Sequence, residues 1–218
     1  MAISMPNLFL NAFPGVKFDA RRFDTRFLDR MATGGVLLAE AFGVDAPFLA
    51  ANSASDTVRG WGAFATRHSA TSLEHQLDLL RRFAGDDHFA VREWAWLAAR
   101  PGIVAAPDRA LRALAPFASC QSFRLRRFAS EATRPRSVWG KHIVALKQEP
   151  WLAEDLLNRL APGIEEYVQD SVANWLNDVV RLHPEWVESL CRRWSAELDQ
   201  SVARLVRRAK RSLPCGNG

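Results

Sequence analysis

Tyrosine occurs once in 218 residues, at Tyr167, against eight tryptophans and thirteen phenylalanines. Runs of β-branched residues alternating with polar ones are missing, and apolar residues recur mostly every three to four positions. That spacing predicts helix from Leu73 onward and argues against a sheet. Cysteine is scarce as well: Cys120, Cys191 and Cys215 are odd in number, widely spaced and form no CxxC or Cys/His cluster. This excludes a disulfide framework and a structural zinc site, so a reduced, cytoplasmic protein is expected. No apolar run approaches the ~20 residues that cross a bilayer, so no membrane partner is expected. The opening MAISMPNLFLNAFPGV lacks the basic stretch and long apolar block of a secretory signal. A Ser-His-Asp series, a Gly-rich phosphate loop and an HExxH pair are all missing. The five histidines (His68, His75, His88, His142, His183) are isolated and read as surface or core residues. No cofactor and no metal are expected.

What is present is charge of one sign in particular places. The net charge is +5 and the pI about 9.6, a weak pointer to a polyanionic partner. Its distribution says more. From Leu190 to Leu213 seven basic residues face only Glu197 and Asp199, a local excess equal to that of the whole chain. A second cluster is Arg124, Arg126, Arg127, Arg134 and Arg136. Either run alone reads as a solvated helix face. Two runs at equivalent places in a repeat suggest a stripe that follows a phosphate backbone.

The repeat itself is a bulky apolar residue followed eight positions later by another that opens a helix-like stretch. The pairs are Phe83 and Val91, Phe117 and Leu125, Leu160 and Val168, Trp194 and Val202, at intervals of 34, 43 and 34 residues. Such intervals belong to stacked helix pairs. The expected fold is therefore all-α, a right-handed superhelical solenoid of HEAT-like helical repeats over residues 71–213. Thr71 and Ser72 cap a helix Leu73–Phe83. Pro101, Pro107, Pro135, Pro150, Pro162 and Pro184 are expected between helices or near their ends. Residues 1–70 are less regular and are expected to form an N-terminal helical cap over the first repeat. Within them Gly34-Gly35 reads as a break between two helices in 21–42, and Ser55 or Asp56 as the cap of a helix Thr57–His68. Residues 214–218 read as a disordered tail.

Some residues exceed what a scaffold needs. In VREWAWLAAR, Val91, Ala95 and Ala98 form the packing stripe, leaving Glu93, Trp94 and Trp96 elsewhere on the helix. They are either core indoles with a carboxylate paired to Arg92 or Arg100, or a surface that packs a deoxyribose. In RLRRFASEATRPRSVWG, Leu125, Phe128, Ala129 and Ala132 are the stripe. Glu131 lies near the helix C-terminus, where a carboxylate opposes the macrodipole. It is either a structural partner of Arg134 and Arg136 or a charge poised for catalysis. The two arginines are also positioned to clamp phosphate, with Trp139 packed beneath. In EEYVQDSVANWLNDVV, Val168, Val172, Leu176 and Val179 are buried, and Asn174 and Asp178 share a face with Trp175 nearby.

VREWAW, RRFASEATRPR and YVQDSVANWLND resemble the motifs of the HEAT-like-repeat DNA alkylation repair proteins, the AlkC/AlkD family of alkylpurine DNA glycosylases. The second and third lie close to the AlkC-type patterns S-E-G-T-R-P-R and S-V-A-N-x-L-N-D. The resemblance covers roughly residues 70–213. The first segment departs from it: His88-Phe89-Ala90-Val91-Arg92 stands where E-F-A-I-R is usual, and Ala132 replaces glycine. A solenoid with both ends covered needs no partner, so a monomer is expected, and the resemblance implies a nucleoid-associated bacterial protein that grips alkylated double-stranded DNA by its backbone. It implies excision of cationic N3- or N7-alkylpurines without full base flipping. Glu131 and Asp178 match the motif acids, and Glu93 stands in for the acid missing from the first segment. Arg127 matches a phosphate-binding position. Arg92, Arg126, Arg134, Arg136, Trp94, Trp139, Asn174 and Trp175 complete the expected DNA contacts.

Overall fold

The structure, a computed structural model, describes residues 4–198 and 200–213. The expected tail at 214–218 lies outside them. All regular elements among the described residues are helical. They divide into two compact units, one ending at Ala99 and the other beginning at Arg100.

The first unit holds α1 (Met5–Ala12), a 3₁₀ turn Ala20–Phe23, α2 (Phe27–Phe42), a 3₁₀ turn Gly43–Asp45, α3 (Ala46–Ala51), α4 (Asp56–Ser69) and α5 (Leu73–Ala84). It also holds the start of α6 (Phe89–Ala105). The capping expectations hold: Ser55 Oγ accepts from Val58 N, and Ser72 Oγ accepts from His75 N. Each satisfies an N–H that the helix itself leaves open.

Gly34-Gly35, expected to break a helix, instead sits in the middle of α2. A Cβ at Gly34 would fall 2.3 Å from Trp61 Cδ1, and one at Gly35 2.8 Å from the Ala65 backbone nitrogen. The glycines are there so that α2 and α4 can approach closely; packing outweighs their poor helix propensity. Phe9, Phe18 and Phe23 gather with Trp61, Phe9 and Trp61 having ring centroids 5.4 Å apart. Within Phe27–Ala51, 25 residues long, an 18-residue window reaches a mean hydropathy of 1.4, long and apolar enough to cross a membrane by length and composition. This corrects the expectation that no apolar run reaches that length. Its Met31, Leu37, Leu38, Ala46 and Ala50 are buried where α2 and α3 pack on α4, whereas Phe27, Phe48 and Leu49 are exposed.

Helix α4 packs on α2, α3 and α5, so helix pairing already begins before residue 71. A repeated contact explains why the pairs begin so early. In the first turn of α4, Arg59 Nη1 donates to the carbonyls of Ser53 (2.9 Å) and Ala54 (3.2 Å). Arg92 in α6 does the same to Asp86 (2.8 Å) and Asp87 (2.9 Å). These are the residues five and six positions back, in the loop that joins each helix pair. Donating to otherwise open loop carbonyls closes the turn.

The second unit continues with α7 (Pro107–Ala118), α8 (Phe123–Thr133), α9 (Val144–Gln148), α10 (Glu154–Leu160), α11 (Glu166–Val179), α12 (Pro184–Glu197) and α13 (Ala203–Lys210). Arg126, at the same place in α8, donates to Cys120 O (2.8 Å) and Gln121 O (2.7 Å). Gln169 in α11 donates to Gly163 O at 3.0 Å. Helices α8, α11 and α13 lie side by side, α11 between the other two. Val168, Val172, Leu176 and Val179 are fully buried there, as their spacing predicts. Pro101 lies inside α6 rather than near its end. The helix persists through it because Ala98 and Ala99 before it and Ile103 after it are buried, which offsets the hydrogen bond that proline removes.

Candidate functional site

The site grows from the way α8 ends. Pro135 drives the preceding Arg134 out of the α region, to φ −52° and ψ 129°. The final carbonyls of α8, which have no partner within the helix, are taken by side chains. The Thr133 hydroxyl, with a single proton to give, lies 3.0 Å from the open Ser130 O and 2.9 Å from Ala129 O. Arg100 Nη1 donates to Ala132 O at 3.1 Å, and the Trp175 indole N–H to Thr133 O at 3.1 Å. The chain therefore leaves the helix in a fixed direction, and Arg134 is aimed at α11.

Its guanidinium joins two carboxylates. Nε and Nη2 each reach an Asp178 oxygen at 3.0 Å, a bidentate pair, while Nη1 lies 2.9 Å from Glu131 Oε1. The other Glu131 oxygen accepts from Ser171 Oγ at 2.7 Å, and Ser171 Oγ lies 3.0 Å from Ser130 Oγ. Arg127 Nη2 stands 3.5 Å from Glu131 Oε2, and its guanidinium lies over the Tyr167 ring at 4.6 Å. The Arg136 backbone N–H points at Asp178 Oδ2 from 3.4 Å. Glu131 and Asp178 side chains are only 8% and 10% exposed, so solvent screens these pairs little.

Burial opposes the charge on Arg134. The Asp178 hydrogen bonds and the Glu131 charge outweigh it and raise its pKa above the usual arginine value. Arg100 shows the opposite balance. Burial, then the nearby Arg134 charge, push it down to about 10. Arg100 is 2% exposed, and its Nη2 has no hydrogen-bond partner.

Of the expected site residues, Glu131, Asp178, Arg127 and Arg134 meet in this cluster. Of the two readings of Glu131, the structure shows the ion pair, with Arg134 at 2.9 Å and Arg127 at 3.5 Å. Arg126 lies in the same unit, but its guanidinium serves the Cys120 and Gln121 carbonyls and Glu165 at 2.6 Å. Asn174 Oδ1 accepts from Arg211 Nη2 at 3.4 Å. Trp175, expected to touch DNA, is wholly buried; its indole is held inside by Thr133 O, which removes it as a contact. Trp139, expected to pack beneath the Arg134 loop, is 67% exposed.

Glu93, Trp94 and Arg92 belong to the first unit. Glu93 accepts from the Trp96 indole N–H at 2.8 Å. Trp94 is 8% exposed and lies on α4, where a Cβ at Gly60 would meet its ring at 2.1 Å. It is core, not a sugar contact. Sequence reasoning missed Ser130, Ser171 and Arg100. The two serines sit among buried positions of α8 and α11, where a hydroxyl needs a partner. That was the available signal.

No protein-family model matches the chain. The uncharacterized protein YhaZ of Bacillus subtilis is 35% identical over 122 residues, 56% of this chain and 33% of its own. Among solved structures, the alkylpurine DNA glycosylase AlkC of Pseudomonas fluorescens, bound to DNA containing an abasic site analog, is similar with a TM-score of 0.73. The identity there is 24% over 95% of this chain, which spans 60% of AlkC. AlkD2 of Streptococcus mutans matches with a TM-score of 0.72 at 18% identity, covering 97% of this chain and all of its own. The protein smu.31 of Streptococcus mutans matches at 0.67 and 18% identity, covering 86% and 98%. The chain thus has the all-α, HEAT-like helical-repeat fold of the AlkC/AlkD-type structures, as its sequence led us to expect.

Proposed function

We propose that this chain is a DNA glycosylase that removes cationic N3- or N7-alkylpurines from duplex DNA. The observation that carries the reading is the joining of Glu131 and Asp178, from two different repeats, through the single Arg134 guanidinium. A structural ion pair needs only one acid; here one arginine fixes two, so carboxylate oxygens from two repeats are held in place beside each other. The fold shared with AlkC, itself bound to DNA, supports the choice of partner.

An alkylated purine is already positively charged and leaves readily. The bond from C1′ to the base nitrogen breaks with both electrons going to the base, and positive charge develops on the sugar. Carboxylate oxygens fixed in advance stabilise that charge without reorganising. The oxygen of a water then bonds to C1′, and its proton passes to a carboxylate or to solvent. Since the acids act on the sugar, the base need not be turned fully out of the stack, unlike in most base-excising enzymes. Arg127 and Arg136 hold the flanking phosphates. The protein works as a monomer on bacterial nucleoid DNA, in the cytoplasm.

A second reading has an observation of its own. Arg127, Arg134 and Ser171 already engage Glu131, as suits a non-catalytic protein that binds bent, branched or damaged DNA. Incubation of the protein with methylated duplex, with chromatography of the freed bases, separates the two. Release of 3-methyladenine or 7-methylguanine supports the glycosylase. Salt-sensitive binding without release supports the second reading.

A further inference from the structure

A hydroxyl in the middle of a helix usually folds back on its own backbone. Ser195 Oγ does so on Cys191 O at 2.9 Å, and Thr66 Oγ1 on Ala63 O at 2.7 Å. Ser130 in α8 and Ser171 in α11 do otherwise, although both are buried. An ionised carboxylate can only accept, so the 2.7 Å contact places the Ser171 proton on Glu131 Oε2. Ser171 then has none left for Ser130. The 3.0 Å contact between the two hydroxyls therefore runs the other way, with Ser130 donating. The result is a one-way chain across two repeats, from Ser130 to Ser171 to Glu131.

This chain supplies what the arginines do not. Arg127 and Arg134 belong to α8 and its C-cap, the same element as Glu131, whereas Ser171 is the partner that α11 provides. Arg134 reaches Glu131 through Oε1, and a carboxylate held at one oxygen still swings about that contact. A second donor at Oε2 fixes its plane. The Ser171 bond has the short length of a charge-assisted hydrogen bond, which is about twice as strong as a neutral one. Its donor carries no charge, so it orients Glu131 without neutralising it. Ser130, by donating to Ser171 Oγ, keeps that hydroxyl turned toward Glu131 and away from its own helix.

We propose that Ser171 is the positioning residue of Glu131, with Ser130 setting the direction of its hydroxyl. The pair holds the carboxylate in one orientation before DNA arrives, so negative charge is already in place when positive charge develops at C1′. This rests on the glycosylase reading and adds to it the groups that aim its carboxylate.

Excision of 3-methyladenine from methylated duplex is followed in single turnover, with protein in excess, for wild type, Ser171→Ala, Ser130→Ala and the double variant. Varying the protein concentration separates the excision rate constant from the affinity. All three variants only remove atoms, and the assay temperature is kept well below their melting points. Should Ser171→Ala melt too low, Ser171→Cys, close in shape but a weak donor, takes its place. A hydrogen bond to a charged group is worth on the order of ten- to a hundredfold. Ser171→Ala is expected to slow excision by about tenfold or more, with affinity within about twofold of wild type. Ser130→Ala should lose less, about threefold, because Ser171 still reaches Glu131. The double variant should be no slower than Ser171→Ala, since a serial chain is already cut there. Excision by Ser171→Ala at the wild-type rate would overturn the proposal while leaving the glycosylase reading intact. Weaker affinity with an unchanged rate constant would overturn it too, assigning Ser171 to the binding surface. Losses that multiply in the double variant would refute the chain, because the hydroxyls would then act separately. If the wild type itself releases no base, the glycosylase reading fails first and this role with it.

Discussion

Arg134→Ala tests the energetics of the cluster most sharply. The substitution leaves two carboxylates, each about nine-tenths covered, without their shared cation. Removing one partner of a buried pair costs about 3–5 kcal/mol, most of it from the charge left behind. Here Arg127 at 3.5 Å and the Ser171 hydroxyl still face Glu131, and the Arg136 N–H still faces Asp178. Arg134 is itself 25% exposed, so the lower part of that range applies, about 3–4 kcal/mol. For a chain of this length each kcal/mol moves the melting temperature by about 2–4 °C, which gives a fall of roughly 6–16 °C by thermal circular dichroism. High salt should shrink the loss little, since the pairs are shielded from solvent. The triple variant Glu131→Gln, Arg134→Met, Asp178→Asn removes all three charges and should recover at least half of the loss. A melting shift under about 2 °C for Arg134→Ala, or a triple variant no more stable than the single one, would refute the reasoning.

Arg126→Ala should lower stability by about 1.5–3 kcal/mol through its charged hydrogen bonds to loop carbonyls. The salt dependence of DNA binding should be unchanged, because that guanidinium is already occupied; a flatter slope would return Arg126 to the DNA contacts. Burial raises the Cys191 thiol to about 11, above its usual 9.0. A raised folded value means its stabilising contribution is whole below pH 9 and is lost as pH rises through 11. Alkylation at pH 8 followed by peptide mapping should therefore label Cys120 before Cys191; the reverse order would show that Cys191 is not sealed in the core.

The helix pairs were legible because burial imposes a period on the sequence: Val168, Val172, Leu176 and Val179 announce their own face. The motif acids were legible for a different reason, since a carboxylate at a helix C-terminus followed by Arg-Pro-Arg is locally unfavourable and needs a partner. Arg134 as the partner of Glu131 was legible from that spacing; its second partner, Asp178, was not, because Arg134 and Asp178 lie 44 residues apart in the chain and only the packing of α8 on α11 joins them. Tryptophan misled in both directions. Trp94, left open between core and surface, and Trp175, expected at DNA, both fill the core, whereas Trp139, expected both to pack beneath its loop and to meet DNA, stands in solvent. An indole in a sequence does not say which side of a helix will be covered. Gly34-Gly35 misled for a related reason: local propensity favours a break, and only the place of Trp61 on α4 shows why the helix continues. The clamp from Arg59 and Arg92 to loop carbonyls could have been read at its spacing of 33 residues, had the first repeat been sought before residue 71.

The central claim is that Glu131 and Asp178 act on the sugar of an alkylated nucleotide. Release of 3-methyladenine from methylated duplex by wild type and Glu131→Gln, matched for melting temperature, tests it most directly. The account predicts release by the wild type and a loss of about a hundredfold or more in the variant, the magnitude of one fixed electrostatic group. Equal release by the two proteins would contradict it.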